Sequence, residues 1–390
     1  MKFLNYFEEH LITIITFLIM IGIMGTRPLI SLLSNDLNAT PIEIGIIIAL
    51  FPLLPTFFAI KIGYYVDWVG YKKPIIFSTI LCTCSLIIPM FFVSLTAVYI
   101  SQLAAGIGQT IFVVSAQAMA GQLSTEESTR EKYIMKFSIG VALGSFIGPL
   151  AGGIIGEKYG YPFAIGTLGS IGFMSVILSI FLRGKIESLE NKFKKKNNIL
   201  DSVKLLKNPN LRKAFLVSIF VLLGKDIYTA YFPLLALEFE LTVSAIGVII
   251  SINAIAGILI RWSLPFLLRT SSRNTIAISS IILSGMCFLL LPFFNSISVL
   301  SLFSFILGIG LGLGQPLSIS TTINYLPNEK VGEGLGLRLT ANRLTQMSAP
   351  VIFGAIADFI SMSAVFWIVG GILLLGGRKT SLVEGKKETF

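Results

Sequence analysis

The chain is poor in the residues that do chemistry in water. Its 390 residues include one histidine, His10, and three cysteines, Cys82, Cys84 and Cys287. One histidine cannot build a histidine metal site, and Cys82-Thr-Cys84 has no second cluster to complete a zinc-type one. No metal and no cofactor is expected, and the cysteines read as inert thiols in apolar segments. There is no H-E-x-x-H and no nucleophile elbow, which leaves a membrane enzyme unsupported. "GILLLGGRKTS", from Gly371, misses the spacing of a phosphate loop, so a primary pump is unsupported as well. Charge is scarce too. Charged residues make up 13% of the chain, whereas soluble domains carry about 25%.

Apolar sequence is what the chain has in abundance: 54% of residues are hydrophobic and the mean hydropathy is +0.84. Windows of about 20 residues suit a bilayer crossing. They predict twelve spans centred near residues 22, 53, 84, 109, 145, 172, 224, 256, 284, 310, 345 and 369. The first apolar run, Leu11 to about Leu33, is too long for a cleavable signal. The substantial polar interruption is Gly184–Lys213, rich in lysine, with a short interfacial helix expected over Ile199–Leu206. It divides the chain into an N-terminal six-helix bundle (1–183), a basic linker (184–212), a C-terminal six-helix bundle (213–377) and a tail (378–390).

The formal charge of +10 does not point to nucleic acid, because its placement is one-sided. Lys72, Lys73, Arg130, Lys132, the linker lysines, Arg269, Arg273, Lys330, Arg378 and Lys379 fall in alternate loops and ends. The opposite loops hold Asp36, Glu43, Glu157, Glu238 and Glu240, with Lys158 alone as a base. The positive-inside rule then predicts cytoplasmic termini and linker, in a multi-pass protein of the plasma membrane.

The two halves repeat each other faintly. Gly45-Ile-Ile-Ile answers Gly247-Val-Ile-Ile, Gly106-Ile-Gly108 answers Gly308-Ile-Gly310, and Lys136 answers Arg338, all 202 positions apart. Glu127 and Glu131 answer Glu329 and Glu333 at the same offset. Parallel repeats of this kind are a transporter design, with the substrate site near the midplane between the halves.

Between spans two and three lies "GYYVDWVGYKK", with Gly63, Asp67, Gly70, Lys72 and Lys73 at set intervals. This resembles the cytoplasmic loop motif of the major facilitator superfamily, with Tyr71 where that family usually has arginine. Glu127 and Arg130 resemble the family's Glu-x-x-Arg loop. "GSFIGPLAGG", with Gly144, Gly148, Pro149, Gly152 and Gly153, resembles its span-five antiporter motif. The resemblance covers essentially the whole chain. It implies an all-α fold of two pseudo-symmetric six-helix bundles and a secondary transporter working by alternating access. It also implies gating roles for these residues, with the glycine face of span five packed against span eight. Gln102 stands where proton-coupled exporters usually have an arginine, which puts proton coupling through span four in question.

Ionisable residues inside spans mark functional sites or buried pairs. They are Arg27, Lys225, Asp226, Arg261 and Arg343, whereas Lys61 and Arg338 lie near cytoplasmic ends and are expected to snorkel. Arg27 has Ser31 on its face, Lys225 has Tyr228 and Thr229, and Arg343 adjoins Asn342. The candidate substrate contacts are therefore Arg27, Ser31, Lys225, Tyr228, Arg261, Asn342 and Arg343, with Asp226 as the candidate proton site. Cations outnumber carboxylates, so the expected substrate is a small organic anion, exported against proton influx. An anion importer or facilitator on the same fold is the alternative. The expected partners are that solute, a proton and the lipid bilayer, with the protein a monomer.

Overall fold

The computed structural model describes residues 2–123, 127–182, 204–326 and 331–380. These form twelve long helices: α1 (Lys2–Asp36), α2 (Pro41–Val69), α3 (Lys72–Phe91), α4 (Leu95–Leu123), α5 (Glu127–Tyr159), α6 (Tyr161–Ile180), α7 (Pro209–Glu238), α8 (Val243–Thr270), α9 (Arg273–Leu290), α10 (Ile297–Asn324), α11 (Val331–Phe359) and α12 (Met362–Lys379). Each span centre expected from hydropathy falls inside one of them. Ten are long and apolar enough to cross a membrane, and α12 adds a shorter apolar stretch, Met362–Gly377. Of the linker helix expected over Ile199–Leu206, only a 3-10 turn, Lys204–Lys207, lies within the described residues.

The ends of the helices follow local chemistry. Thr40 caps α2 in a reciprocal box: its side chain accepts from the Glu43 amide at 3.3 Å, and the Glu43 carboxylate accepts from the Thr40 amide at 2.8 Å. Gly70, at φ 82°, ends α2 in a conformation that a Cβ disfavours, so a glycine is required at that turn. Pro28 and Pro149 lie inside α1 and α5, which continue as helices on both sides of them.

The helices fall into two compact units. The first comprises residues 1–194 together with 240–251, so the start of α8 packs with the N-terminal helices. Its core includes Ile12, Ile15, Ile19, Met20, Phe51, Phe112 and Phe137. Here α1 lies against α5 and α6, α3 against α4 and α6, and α2 against α4. The second unit comprises residues 195–239 and 252–390. In it α7 packs on α10, α11 and α12, and α9 on α10 and α12, around the rings of Tyr228, Phe232, Phe288 and Phe366.

The repeat seen in sequence recurs in packing. A Cβ on Gly106 would strike the Phe51 carbonyl, and one on Gly308 would strike the Asn253 carbonyl. Gly108 meets Cys82, and Gly310 meets Ser284. Both partner pairs lie 202 positions apart, as the glycines do. In lipid, where burying apolar surface between helices gains nothing, such glycines allow backbones to approach closely.

Candidate functional site

In the first unit, the loop motif resolves into a helix end rather than a glycine-rich turn. Gly63 and Asp67 both lie within α2, and a Cβ on Gly63 would meet nothing within 4 Å. Gly70 alone makes the turn, its amide bonded to the Val66 carbonyl at 2.9 Å. Tyr71 is fully buried, while Asp67 and Lys72 are half-buried and Lys73 is exposed. Glu127 and Arg130 open α5, but their side chains lie outside the described residues.

The glycine face of span five does not pack as expected. Gly140, Gly144, Gly148 and Gly152 lie on α1, not on α8. A Cβ on Gly148 would stand 2.7 Å from the Gly25 amide nitrogen and 2.8 Å from the Ile21 carbonyl oxygen. On Gly144 it would meet the Met20 backbone at 2.9 Å, and on Gly152 the Gly25 carbonyl at 2.9 Å. The adjoining ridge is the one that meets α8. A Cβ on Gly153 would lie 2.7 Å from the Val243 carbonyl and 3.0 Å from Gly247 Cα, and Gly247 faces the Pro149 carbonyl in turn. One turn on, the Glu157 carboxylate accepts the Ser244 amide at 2.8 Å, near the start of α8. The recurrence of glycine at every fourth position was legible in sequence, but which neighbour it served depended on the tertiary arrangement.

Of the two candidates on α1, Arg27 is half-buried, its guanidinium 4.9 Å from the centre of the Phe51 ring. Ser31 is fully buried, so it offers no surface beside Arg27.

In the second unit, Lys225 is exposed and Asp226 is buried at 9% exposure. Tyr228 was expected on the face of Lys225 but is turned inward. It is 1% exposed, stacks on Phe232 and shares a 2.6 Å hydrogen bond with Ser304. Asn253 donates to the Ser304 carbonyl at 2.9 Å, so this is an internal polar tie. Arg261 is exposed, with Nε donating to the Gly312 carbonyl at 3.1 Å, and Arg343 donates to Gln346 at 3.2 Å. Asn342 is buried and does not join Arg343. It accepts from Ser218 Oγ at 2.8 Å instead.

That bond belongs to a cluster that sequence reasoning missed. Arg338 was expected to snorkel, but it is 7% exposed. Its Nη1 donates to Ser218 Oγ and to Gln315 Oε1, both at 2.9 Å. Gln315 donates back to the Ser218 carbonyl at 3.2 Å. The cluster therefore spans α7, α10 and α11. Its sequence signal was the occurrence of Ser218 and Gln315 inside apolar spans, weak beside the charges that drew attention.

Among the described residues no group of histidine, cysteine, aspartate or glutamate side chains is placed to hold a metal ion. The arrangement instead offers cations on helices, from the buried Arg338 through the half-buried Arg27 and Arg343 to the exposed Lys225 and Arg261, beside close helix contacts made by glycines.

Comparison with known proteins agrees with this architecture. The sequence model of the Major Facilitator Superfamily matches residues 12–344, with a second match over 269–378. An uncharacterised MFS-type transporter of Methanocaldococcus jannaschii is 28% identical over 372 residues, covering 93% of this chain and 96% of its own. The class H tetracycline resistance protein of Pasteurella multocida is 24% identical, covering 97% of this chain and 96% of its own. Multidrug resistance protein 2 of Bacillus subtilis is 22% identical, covering 95% and 94%. Among solved structures, a mutant form of the nucleoside transporter NupG superposes with a TM-score of 0.83 at 13% identity, covering 96% of this chain and 98% of that one. These likenesses in structure show the fold, and the family model shows the lineage. The chain is a multi-pass membrane protein that belongs to the Major Facilitator Superfamily of transporters.

Proposed function

We propose that this transporter exports a small organic anion, such as a carboxylate-bearing metabolite, chelator or drug, by alternating access and in exchange for protons. The observation that carries the anionic reading is the balance of charge within the spans. Arg27, Lys225, Arg261, Arg338 and Arg343 lie within helices, against Asp226 as the carboxylate deep in a span. Charge inside a membrane is costly, and in transporters it marks substrate and ion pathways. Arg27, Lys225, Arg261 and Arg343 are the proposed substrate contacts. Tyr228 leaves that set because its hydroxyl is turned inward and shared with Ser304, Ser31 because it offers no surface beside Arg27, and Asn342 because its side-chain oxygen is occupied by Ser218.

Export is supported by the tetracycline and multidrug resistance proteins among the relatives and by the complete glycine-proline motif of α5. Asp226 is the proposed proton site. Gly63, Asp67, Gly70, Lys72, Lys73, Glu127 and Arg130 are proposed to act in gating, as in the family motifs they resemble. Of the span-five motif, Pro149 and Gly153 stay with them because they meet the start of α8, whereas Gly144, Gly148 and Gly152 meet α1 and leave the gating set. A cytoplasmic placement of the termini, in the plasma membrane, follows from the loop charges.

The test is a charge-sorted screen of the purified protein, since a ligand that binds the folded state raises Tm. Organic anions are expected to raise it and lipophilic cations to leave it unchanged. Stabilisation by lipophilic cations with no response to anions overturns the anionic reading.

A further inference from the structure

The first unit contains the same helix junction as the Arg338 cluster but fills it differently. Ser218 stands 202 positions after Thr16, Gln315 after Val113, Arg338 after Lys136 and Asn342 after Gly140. A Cβ on Gly140 would meet the Thr16 side chain at 2.8 Å, so that junction closes on a glycine and a threonine. In the second unit the same meeting point holds Ser218 and Asn342 in a 2.8 Å hydrogen bond, with a buried guanidinium beside them. The fold does not need an arginine there.

Arg338 is also an expensive residue to keep. It begins about two turns inside α11, and Ser218 lies nine residues into α7, on the order of 13 Å from that helix end. A guanidinium does not deprotonate in proteins, so the cluster carries a full positive charge buried among three helices. Its partners, Ser218 and Gln315, are neutral. On α7, Asp226 is eight residues beyond Ser218, roughly 12 Å along the helix axis.

The way the guanidinium is held is specific. Among the described residues, the hydrogen bonds of Arg338 all leave from Nη1. Its Nε is buried and has no hydrogen-bond partner. A planar guanidinium takes a carboxylate in two parallel bonds along one edge. Tying down Nη1 fixes the plane of the group and leaves the edge carrying Nε for such a pair.

We propose that Arg338, oriented by Ser218 and Gln315 and flanked by Asn342, is an anion-binding residue that takes the carboxylate of the transported solute along its Nε edge. This rests on the anionic reading of the substrate and moves its main anchor to a residue outside the proposed set of contacts. Ser218 and Gln315 are positioning residues here, since they act on the anion through the guanidinium.

The experiment uses the purified full-length chain and three probes, benzoate, citrate and inorganic phosphate, at ionic strength matched with chloride. Thermal unfolding is followed for the wild type, Arg338→Gln and Asn342→Asp. A carboxylate probe is expected to raise the wild-type Tm. In Arg338→Gln the concentration needed for half the shift rises roughly 30-fold or more, as for loss of one partner of a buried charge pair. The Tm of that variant without ligand is expected to equal or exceed the wild-type value, because an uncompensated buried cation has been removed. Asn342→Asp brings a carboxylate into the cluster, so it is expected to fold and to lose the response.

Failure takes distinguishable forms. No response of the wild type to any of the three probes overturns the anionic reading and this assignment together. A response that survives unchanged in Arg338→Gln overturns the assignment alone, and the same result with a lower unliganded Tm shows a structural clasp. If Arg338→Gln does not fold, retention of the response in Asn342→Asp overturns the assignment. A response to phosphate without one to either carboxylate identifies a free inorganic ion as the occupant and overturns the role in carrying a carboxylate.

Discussion

At the scale of the residue, exposure separates candidates that sequence treats alike. Lys225, Asp226 and Tyr228 are nearly consecutive on α7, yet the first is exposed and the others are buried. Periodicity places residues on a face but does not say which face lies against a neighbour when the helix is apolar all round. Tyr228→Phe removes the hydroxyl that pairs with Ser304 and is expected to cost about 1 kcal/mol or less of stability, in line with hydrogen bonds between membrane helices. The KM for transport should stay unchanged. A raised KM with unchanged stability returns Tyr228 to the substrate contacts. Asp226→Asn addresses the other buried group and is expected to abolish pH-driven transport while solute exchange continues. Equal pH-driven rates in that variant and the wild type remove Asp226 from the coupling pathway.

At the scale of the element, α5 presents two neighbouring ridges with different partners. The ridge of Gly140, Gly144, Gly148 and Gly152 is part of the packing of the first unit, since a Cβ at Gly148 would run into the α1 backbone. Gly148→Val is therefore expected to destabilise the fold by ~3 kcal/mol or more, the upper end for overpacking, and to lose transport as a consequence. The ridge of Pro149 and Gly153 meets the start of α8, at Val243 and Gly247. Gly153→Ala adds a single methyl 2.7 Å from the Val243 carbonyl, so it is expected to lower Tm by less than Gly148→Val does, to leave the expressed protein folded, and to slow transport at least tenfold. Comparable transport in the two variants, or unfolding of both, removes the distinction between packing and gating. Helix positions were legible in the sequence because spans of about 20 apolar residues have one stable form in lipid. The identity of the facing helix was not, because a stripe of small residues fits any partner that comes close.

At the scale of the whole molecule, the twofold repeat was legible and its divergence was not. The offset of 202 positions predicts equivalent contacts, and Gly106 with Gly308 makes them on Phe51 and Asn253. Nothing in a single sequence says that Lys136 and Arg338, matched by that offset, differ in setting, one half-buried and the other 7% exposed. Burial is a property of three helices meeting, and one helix's pattern does not report it. The same divergence bears on transport direction. If the cations serve to draw an anion outward against entering protons, everted vesicles loaded at neutral pH should take up the anion when the lumen is acidified. Collapse of the pH gradient with a protonophore should return uptake to the level of equilibration. An importer driven by the same gradient would instead accumulate the anion in right-side-out vesicles with an acidic exterior. Uptake that equilibrates in both preparations and ignores the gradient identifies a facilitator and removes proton exchange, while leaving the anionic substrate standing. The vesicle orientation thus separates direction, which is read from the family resemblance, from substrate charge, which is read from the cations within the spans.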